Sequence, residues 1–206
     1  MTPEHTPAEK KIKQAATKVF LSKGFDGTTT RAIAQEAGIN LALVNYYFRS
    51  KEKLFAEVFE EMLKLFMEGM LDVVNRPLSL EERIIALIEH DFELYKNNPD
   101  LVIFVISEVH RNPERFFRMV EVESLQKILG PKSSVHRQLR EAIDKGIINP
   151  INPANAMFMI MSSMYTIFST KSLIMQLDDM TEEQFEVFSK EQMNITKKMV
   201  ITYLFK

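Results

Sequence analysis

The stretch from Thr28 to Phe48 constrains this chain more than any other. Its apolar residues recur at helical spacing: Ile33, Ala34 and Ala37 stripe one short segment, Leu41, Val44 and Phe48 a second, with Gly38 between. Two short helices that cross steeply need a small residue at the contact, which Ala34 supplies. They also need a residue free to take positive φ at the corner, which Gly38 supplies. The spacing therefore predicts a helix-turn-helix. Val44 closes its small core, while Asn40, Ala42, Asn45 and Tyr46 fall on the face turned outward, where a recognition helix presents itself to a major groove.

Helix starts are well marked along the rest of the chain. Thr6-Pro7-Ala8-Glu9 opens a first helix through Ile12, Ala16 and Phe20 to Gly24. Thr29, Asn40 and Ser50 are expected to cap the second, third and fourth helices, the fourth running to Val74. Ser79-Leu80-Glu81-Glu82 starts a fifth that stops at Asn97-Asn98-Pro99, and Leu101 to Val109 follows as a short, buried helix. Helices are expected over Pro113 to Leu129 and Pro131 to Lys145. Asn152-Pro153 should cap a long one to Leu177, and Thr181-Glu182-Glu183-Gln184 a last one to Leu204. That reads as an all-α chain of nine or ten helices without a convincing strand.

Charge is unevenly divided. Residues 1–53 hold nine Lys and Arg against five acids; the remainder holds seventeen against twenty-three. A basic head on an acidic body suits phosphate binding by the head alone, because Lys and Arg displace condensed counterions. The plain alternative is a solvated helix face, so charge supports the motif without replacing it. Cysteine is absent, which excludes a disulfide framework and fits a reducing compartment. The start, Met1-Thr2-Pro3-Glu4-His5, is polar rather than leader-like, so a cytoplasmic protein is expected.

Ala154 to Thr170 is a run of seventeen residues without a formal charge. A membrane span needs roughly 20 apolar residues. This run is shorter and carries Asn, Ser and Thr, so a buried helix is expected and no membrane partner. One face can pack on its own body and the other on a second copy, beside a final helix carrying Phe185, Phe188, Met193, Met199 and Tyr203. A thicker monomeric core would satisfy the same residues.

The run Gly24-Phe25-Asp26-Gly27-Thr28-Thr29 is followed by Ile33-Ala34, Ala37-Gly38-Ile39 and Tyr46-Tyr47-Phe48-Arg49-Ser50-Lys51-Glu52-Lys53-Leu54. Together these resemble the N-terminal DNA-binding domain of the TetR family of bacterial one-component transcriptional regulators. The resemblance implies a three-helix DNA-binding domain over residues 1–50 joined to a larger helical effector-binding and dimerisation domain over 51–206. It also implies a homodimer through the last two long helices and a palindromic double-stranded DNA operator. By matching position, Thr29, Thr30 and Arg31 would meet the phosphate backbone at a helix N-terminus. Asn40, Leu41, Ala42, Asn45 and Tyr46 would form the reading face, with Asn45 suited to an adenine edge and Leu41 and Ala42 to thymine methyls. Tyr47 and Lys51 match phosphate-holding positions, although Tyr47 can equally close the core beside Phe48. Leu41 stands where the family commonly has a polar or basic residue, and Leu43 where it has a small or hydroxylated one.

The body is rich in Met and Phe, which suit an adaptable apolar pocket as well as a plain core. The family keeps an effector cavity in its helical body, and Phe92, Phe104, His110, Phe117, Met161, Met164, Tyr165 and Phe168 are the candidates for contacting a small hydrophobic effector. His90, Asp91 and Glu108 are further polar candidates. Catalysis is not expected. Glu89-His90-Asp91 and Glu108-Val109-His110 do not converge on one ion, because neighbours on a helix point about 100° apart. No phosphate-cradling glycine loop, nucleophile elbow or HExxH pattern is present, so no metal and no cofactor is expected. The reading is a ligand-responsive repressor; the alternative is a helical ligand-binding or scaffold protein without an operator.

Overall fold

The computed structural model describes residues 6–120 and 122–206; the polar start Met1 to His5 lies outside them, and the expected helix over 113–129 crosses the other gap. In order, the helices are α1 (Pro7–Lys23), α2 (Thr30–Ala37), α3 (Leu41–Phe48), α4 (Lys51–Asn75), α5 (Leu80–Asn97), α6 (Pro99–Arg111) and α7 (Pro113–Met119). They continue as α8 (Val122–Ile128), α9 (Ser134–Asp144), α10 (Pro153–Ser162), α11 (Tyr165–Ser169), α12 (Lys171–Leu177) and α13 (Glu182–Leu204). The only β-type pairing among the described residues is one isolated bridge between Ile148 and Phe205.

Two expected helices are broken. The helix expected over 113–129 is α7 and α8, and the helix expected from Ala154 to Leu177 is α10, α11 and α12. The physical reason for the second break is local. Ser163 Oγ donates to Met159 O, and Thr170 Oγ1 donates to Thr166 O at 2.6 Å, so hydroxyls near both joints compete for helical carbonyls. No helix among the described residues is long and apolar enough to cross a membrane.

The helices fall into two compact units. One holds the chain through Leu65 together with Asp100–Val120; the other holds Phe66–Pro99 and the chain after Val120. The expected boundary at residue 50 thus lies inside the first unit. Its core joins Ile12, Ala16 and Phe20 of α1 to Ile33, Val44 and Phe48 of the next two helices and to Leu54, Phe55, Val58 and Phe59 of α4, all buried. Each of these side chains larger than Ala16 contributes about 1.5–3 kcal/mol by leaving water. Phe55 sits edge-on to Phe20 and Phe25 at 5.0 and 4.8 Å and stacks with Phe59 at 5.4 Å. Lys13 lies in this core on the same stripe as Ile12 and Phe20. Its ammonium is 3.1 Å from Glu57 Oε2 and 2.9 Å from Glu61 Oε1.

In the second unit α5 is central, packed by α9, α10, α11 and α13. Ser79 and Thr181 open α5 and α13 with full capping boxes, paired reciprocally with Glu82 and Gln184. Arg83 is buried on α5 and gathers the end of α4. It donates to Val73 O, Val74 O, Arg76 O and Leu78 O at 2.8, 2.5, 2.7 and 3.3 Å, and to Gln138 Oε1 at 2.7 Å. A guanidinium there meets the orphan carbonyls and negative end of the α4 dipole.

Candidate nucleic-acid interface and effector region

The head is held in shape by its corner. Gly38 takes φ 60° and ψ 41°, its N–H reaching Ala34 O and Gln35 O, while Ile39 N–H also reaches Ala34 O. A left-handed residue at this place costs glycine nothing and would strain a side chain. Ala34 is buried, so α2 and α3 cross closely. Thr29 caps α2 through Ala32 N–H at 3.1 Å and Asn40 caps α3 through Ala42 N–H at 2.9 Å.

The expected site residues divide by what their side chains touch. Arg31, Asn40, Ala42, Asn45 and Tyr46 are exposed, Tyr46 to 76%. Thr29 is exposed and Thr30, Leu41 and Tyr47 are half-buried. The Tyr47 ring stands edge-on to Tyr46 at 5.3 Å and tilted to Phe48 at 6.4 Å, so it leans on both the outer face and the core. Asn40 gives its oxygen to the helix cap, which leaves its amide N–H groups outward.

Lys51 is more committed than its sequence position suggests. Its ammonium donates to Phe25 O at 2.9 Å and Thr28 O at 3.0 Å and lies 4.1 Å from the centre of the Phe25 ring. It staples the Gly24–Thr28 loop that leads into α2. The neighbouring exposed cation, Arg49, is not among the expected contacts. It ends α3 at φ 58°, an uncommon conformation for a side-chain-bearing residue, beside the outer face. The sequence signal for it is a basic residue between the end stripe of one helix and the cap of the next. Phe25 itself is shared: Arg115 of α7 places its guanidinium carbon 4.1 Å from that ring and 5.0 Å from Phe55, while pairing with buried Glu108.

Residues 12–58 match the family model for bacterial regulatory proteins, tetR family. Over these residues the chain carries a tetR-type DNA-binding domain. Among curated relatives, it is 31% identical to the HTH-type transcriptional repressor NicS of Pseudomonas putida over 135 residues, 64% of this chain and 60% of that one. With the first curated relatives it matches, the aligned stretch spans about half of their length. The fold resembles that of the transcriptional regulator FadR from Bacillus subtilis in complex with stearoyl-CoA, with a TM-score of 0.62, 20% identity and coverage of 91% and 96%. It also resembles a TetR family transcriptional regulator from Pseudomonas syringae, with a TM-score of 0.60, 22% identity and coverage of 100% and 99%.

The expected effector residues fall into two sets. Phe104, His110 and Phe117 belong to the first unit. Phe104 is buried against Phe55 and Phe59 at 6.1 and 5.9 Å, whereas His110 and Phe117 are exposed. Phe92, Met161, Met164, Tyr165 and Phe168 belong to the second unit. There the Phe92 and Phe168 rings meet at 5.5 Å, Tyr95 meets Tyr165 and Phe168 at 6.4 Å each, and Met164 is fully buried.

Asp91 is the anomalous group of that second set. It is 2% exposed, and its Oδ1 has no hydrogen-bond partner among the described residues. Burial pushes its carboxyl up to about 8. Burial, and then the neighbouring Asp91 and Tyr165, push the Tyr95 phenol above its usual range. Burial also holds the His90 imidazole below the usual histidine range, with Arg76 adding to the effect.

Proposed function

We propose that this chain is a ligand-responsive transcriptional repressor. In this reading it grips a palindromic operator as a homodimer and is released by a small effector with an apolar or aromatic body. The observation that carries the reading is the α2–α3 corner: a left-handed Gly38 under a buried Ala34, with Ala42, Asn45 and Tyr46 turned to solvent. Asn45 reads an adenine edge and Tyr46 lies against the groove wall, while Thr29, Thr30, Arg31 and Arg49 position the head on phosphates. Tyr47 and the one ammonium hydrogen of Lys51 not given to the loop carbonyls serve the same backbone.

Dimerisation is supported by a stripe on α13, where Val187, Ile195, Met199 and Tyr203 are exposed. Positions four and eight apart share one helix face, and a contiguous apolar face marks an interaction surface. Two copies would set their α3 helices for half-sites about one helical turn, roughly 34 Å, apart or a multiple of it. The effector belongs in the aromatic and Met-rich interior around α5, a placement favoured by the fold's likeness to a regulator solved in complex with stearoyl-CoA. By linkage, an effector that favours the DNA-incompetent state weakens operator binding by the factor with which the operator weakens effector binding, ordinarily worth about 1–3 kcal/mol.

Selection of bound duplexes from random DNA by the purified protein tests the reading. Enrichment of a two-fold symmetric sequence is expected; recovery of unselected DNA at low ionic strength would leave a scaffold protein.

A further inference from the structure

A carboxyl is one of the most expensive groups to bury, and α5 buries one without a counter-charge. Asp91 stands on the same stripe as Ile84 and Leu87, and Tyr95 lies one turn further along the same face. The Tyr95 ring meets two more rings, Tyr165 and Phe168. The helices packed on α5 bring their own titratable groups. Those of α9 are His136, Arg137, Arg140, Glu141 and Asp144, that of α11 is Tyr165, and those of α13 are Glu182, Glu183, Glu186, Lys190, Glu191, Lys197, Lys198 and Tyr203, while α10 brings none. Glu186 is taken by Lys96, Lys197 by Glu89, and His136 by Ser133. Burial is the one cause of the Asp91 shift, so none of these groups balances it.

Phe168 connects the carboxyl's surroundings to the surface. Besides touching Phe92 and Tyr95, it lines a groove of about 250 Å³ with Phe185, Lys96, Lys171, Glu182 and Glu186. That groove already holds an ammonium in a way a ligand could copy. The Lys171 amine pairs with Glu182 at 2.5 Å and lies 5.2 Å from the centre of the Phe185 ring. Ring faces and a carboxylate together favour a cation over a neutral or anionic guest, and the preference grows as water is removed.

We infer that Asp91, with the rings of Tyr95, Tyr165 and Phe168, is the recognition site for an organic cation carried on an apolar body, and that this is the chemical class of the effector. The inference rests on the ligand-responsive reading above for its regulatory meaning, but the site itself is measured without DNA. Entry of the cation ionises Asp91, and the proton it loses passes to the buffer. Tyr95 is too weak an acid to be its source, and His90, held neutral near pH 7, has none to give.

The test is calorimetric titration of the full chain with benzyltrimethylammonium, which has no proton of its own to lose, at pH 7 in two buffers of different ionisation heat. Saturable binding with release of about one proton per cation is expected, the release fading as pH rises through about 8. Neopentylbenzene, the neutral isostere, should bind at least about tenfold more weakly, and Asp91→Asn should lose both the cation preference and the proton release. Cation binding without a buffer-dependent heat overturns the inference even if the Asn variant does not fold. So does equal binding of the neutral isostere, or no saturable binding of either benzyltrimethylammonium or the larger tetraphenylphosphonium. A cation that binds with proton release but leaves operator binding unchanged would uphold the site and sink only the regulatory reading. A protein that ignores DNA leaves the titration interpretable.

Discussion

Replacing Arg83 with Met should destabilise the fold by about 3 kcal/mol, the lower end of the roughly 3–5 kcal/mol that breaking a buried charged pair costs. The structure sets that figure from both sides. Five acceptors lose a charge-assisted donor, each bond worth about 1.5–3 kcal/mol taken alone. Yet every carbonyl keeps a second donor: Val73 O from Arg76 N–H, Val74 O from Ser134 Oγ, Arg76 O from Leu78 N–H and Leu78 O from Gln138 Nε2. The variant also escapes a desolvated guanidinium, whose pKa is lowered by burial and then by Arg137. The methionine keeps much of the stem's packing, so the loss falls well below the sum of the bonds. For a chain of this size about 3 kcal/mol corresponds to a fall of roughly 6–12 °C in Tm. Arg83→Lys should recover less than half of it, because an ammonium cannot fork across four carbonyls. Thermal and urea unfolding followed by far-UV circular dichroism measure both. An Arg83→Met protein within about 0.5 kcal/mol of the parent would refute the claim that this side chain closes the end of α4.

Gly69→Ala should cost about 1–3 kcal/mol in urea unfolding, since the added carbon would stand 2.3 Å from His90 Cε1 and the half-buried ring must move. Lys13 should give stability an alkaline edge. Burial lowers its pKa, but the hydrogen bonds and charges of Glu61 and Glu57 outweigh that and hold it above the usual lysine value. Its contribution is therefore complete below the unfolded value of 10.5 and is lost as pH rises through the higher folded value, a loss that Lys13→Met should lack in pH-dependent melting. Met199→Glu should weaken self-association at least about tenfold in sedimentation velocity, by placing a charge in the exposed α13 stripe.

The features legible in the sequence are those that demand specialised residues. Gly38 answers a need for positive φ, and Ser79 and Thr181 are hydroxyl caps with an acceptor three residues on, so the residue types alone mark these places. The joints inside 152–177 are not marked in that way, because Ser163 and Thr170 act through back-bonds to their own helix and interrupt no apolar period. The burial of Lys13 and Arg83 escapes notice as well, since pattern reading assigns Lys and Arg to solvent. The clue is register: Lys13 sits with Ile12, Ala16 and Phe20, just as Asp91 sits with Ile84 and Leu87, on stripes otherwise apolar. The expected effector residues follow type rather than position, and type alone does not tell the Phe104 cluster from the Phe92 and Phe168 cluster. For the head, spacing identifies the outward face but not that Lys51 closes a loop or that Arg49 turns left-handed beside it.

The central claim is that the outer face of α3 reads DNA. Duplex selection carried out side by side with the parent and with Asn45→Ala tests it most directly. The account predicts a symmetric site for the parent and, for the variant, the same spacing with preference lost at a single base pair repeated in both halves. Identical enriched sequences from the two proteins would contradict it.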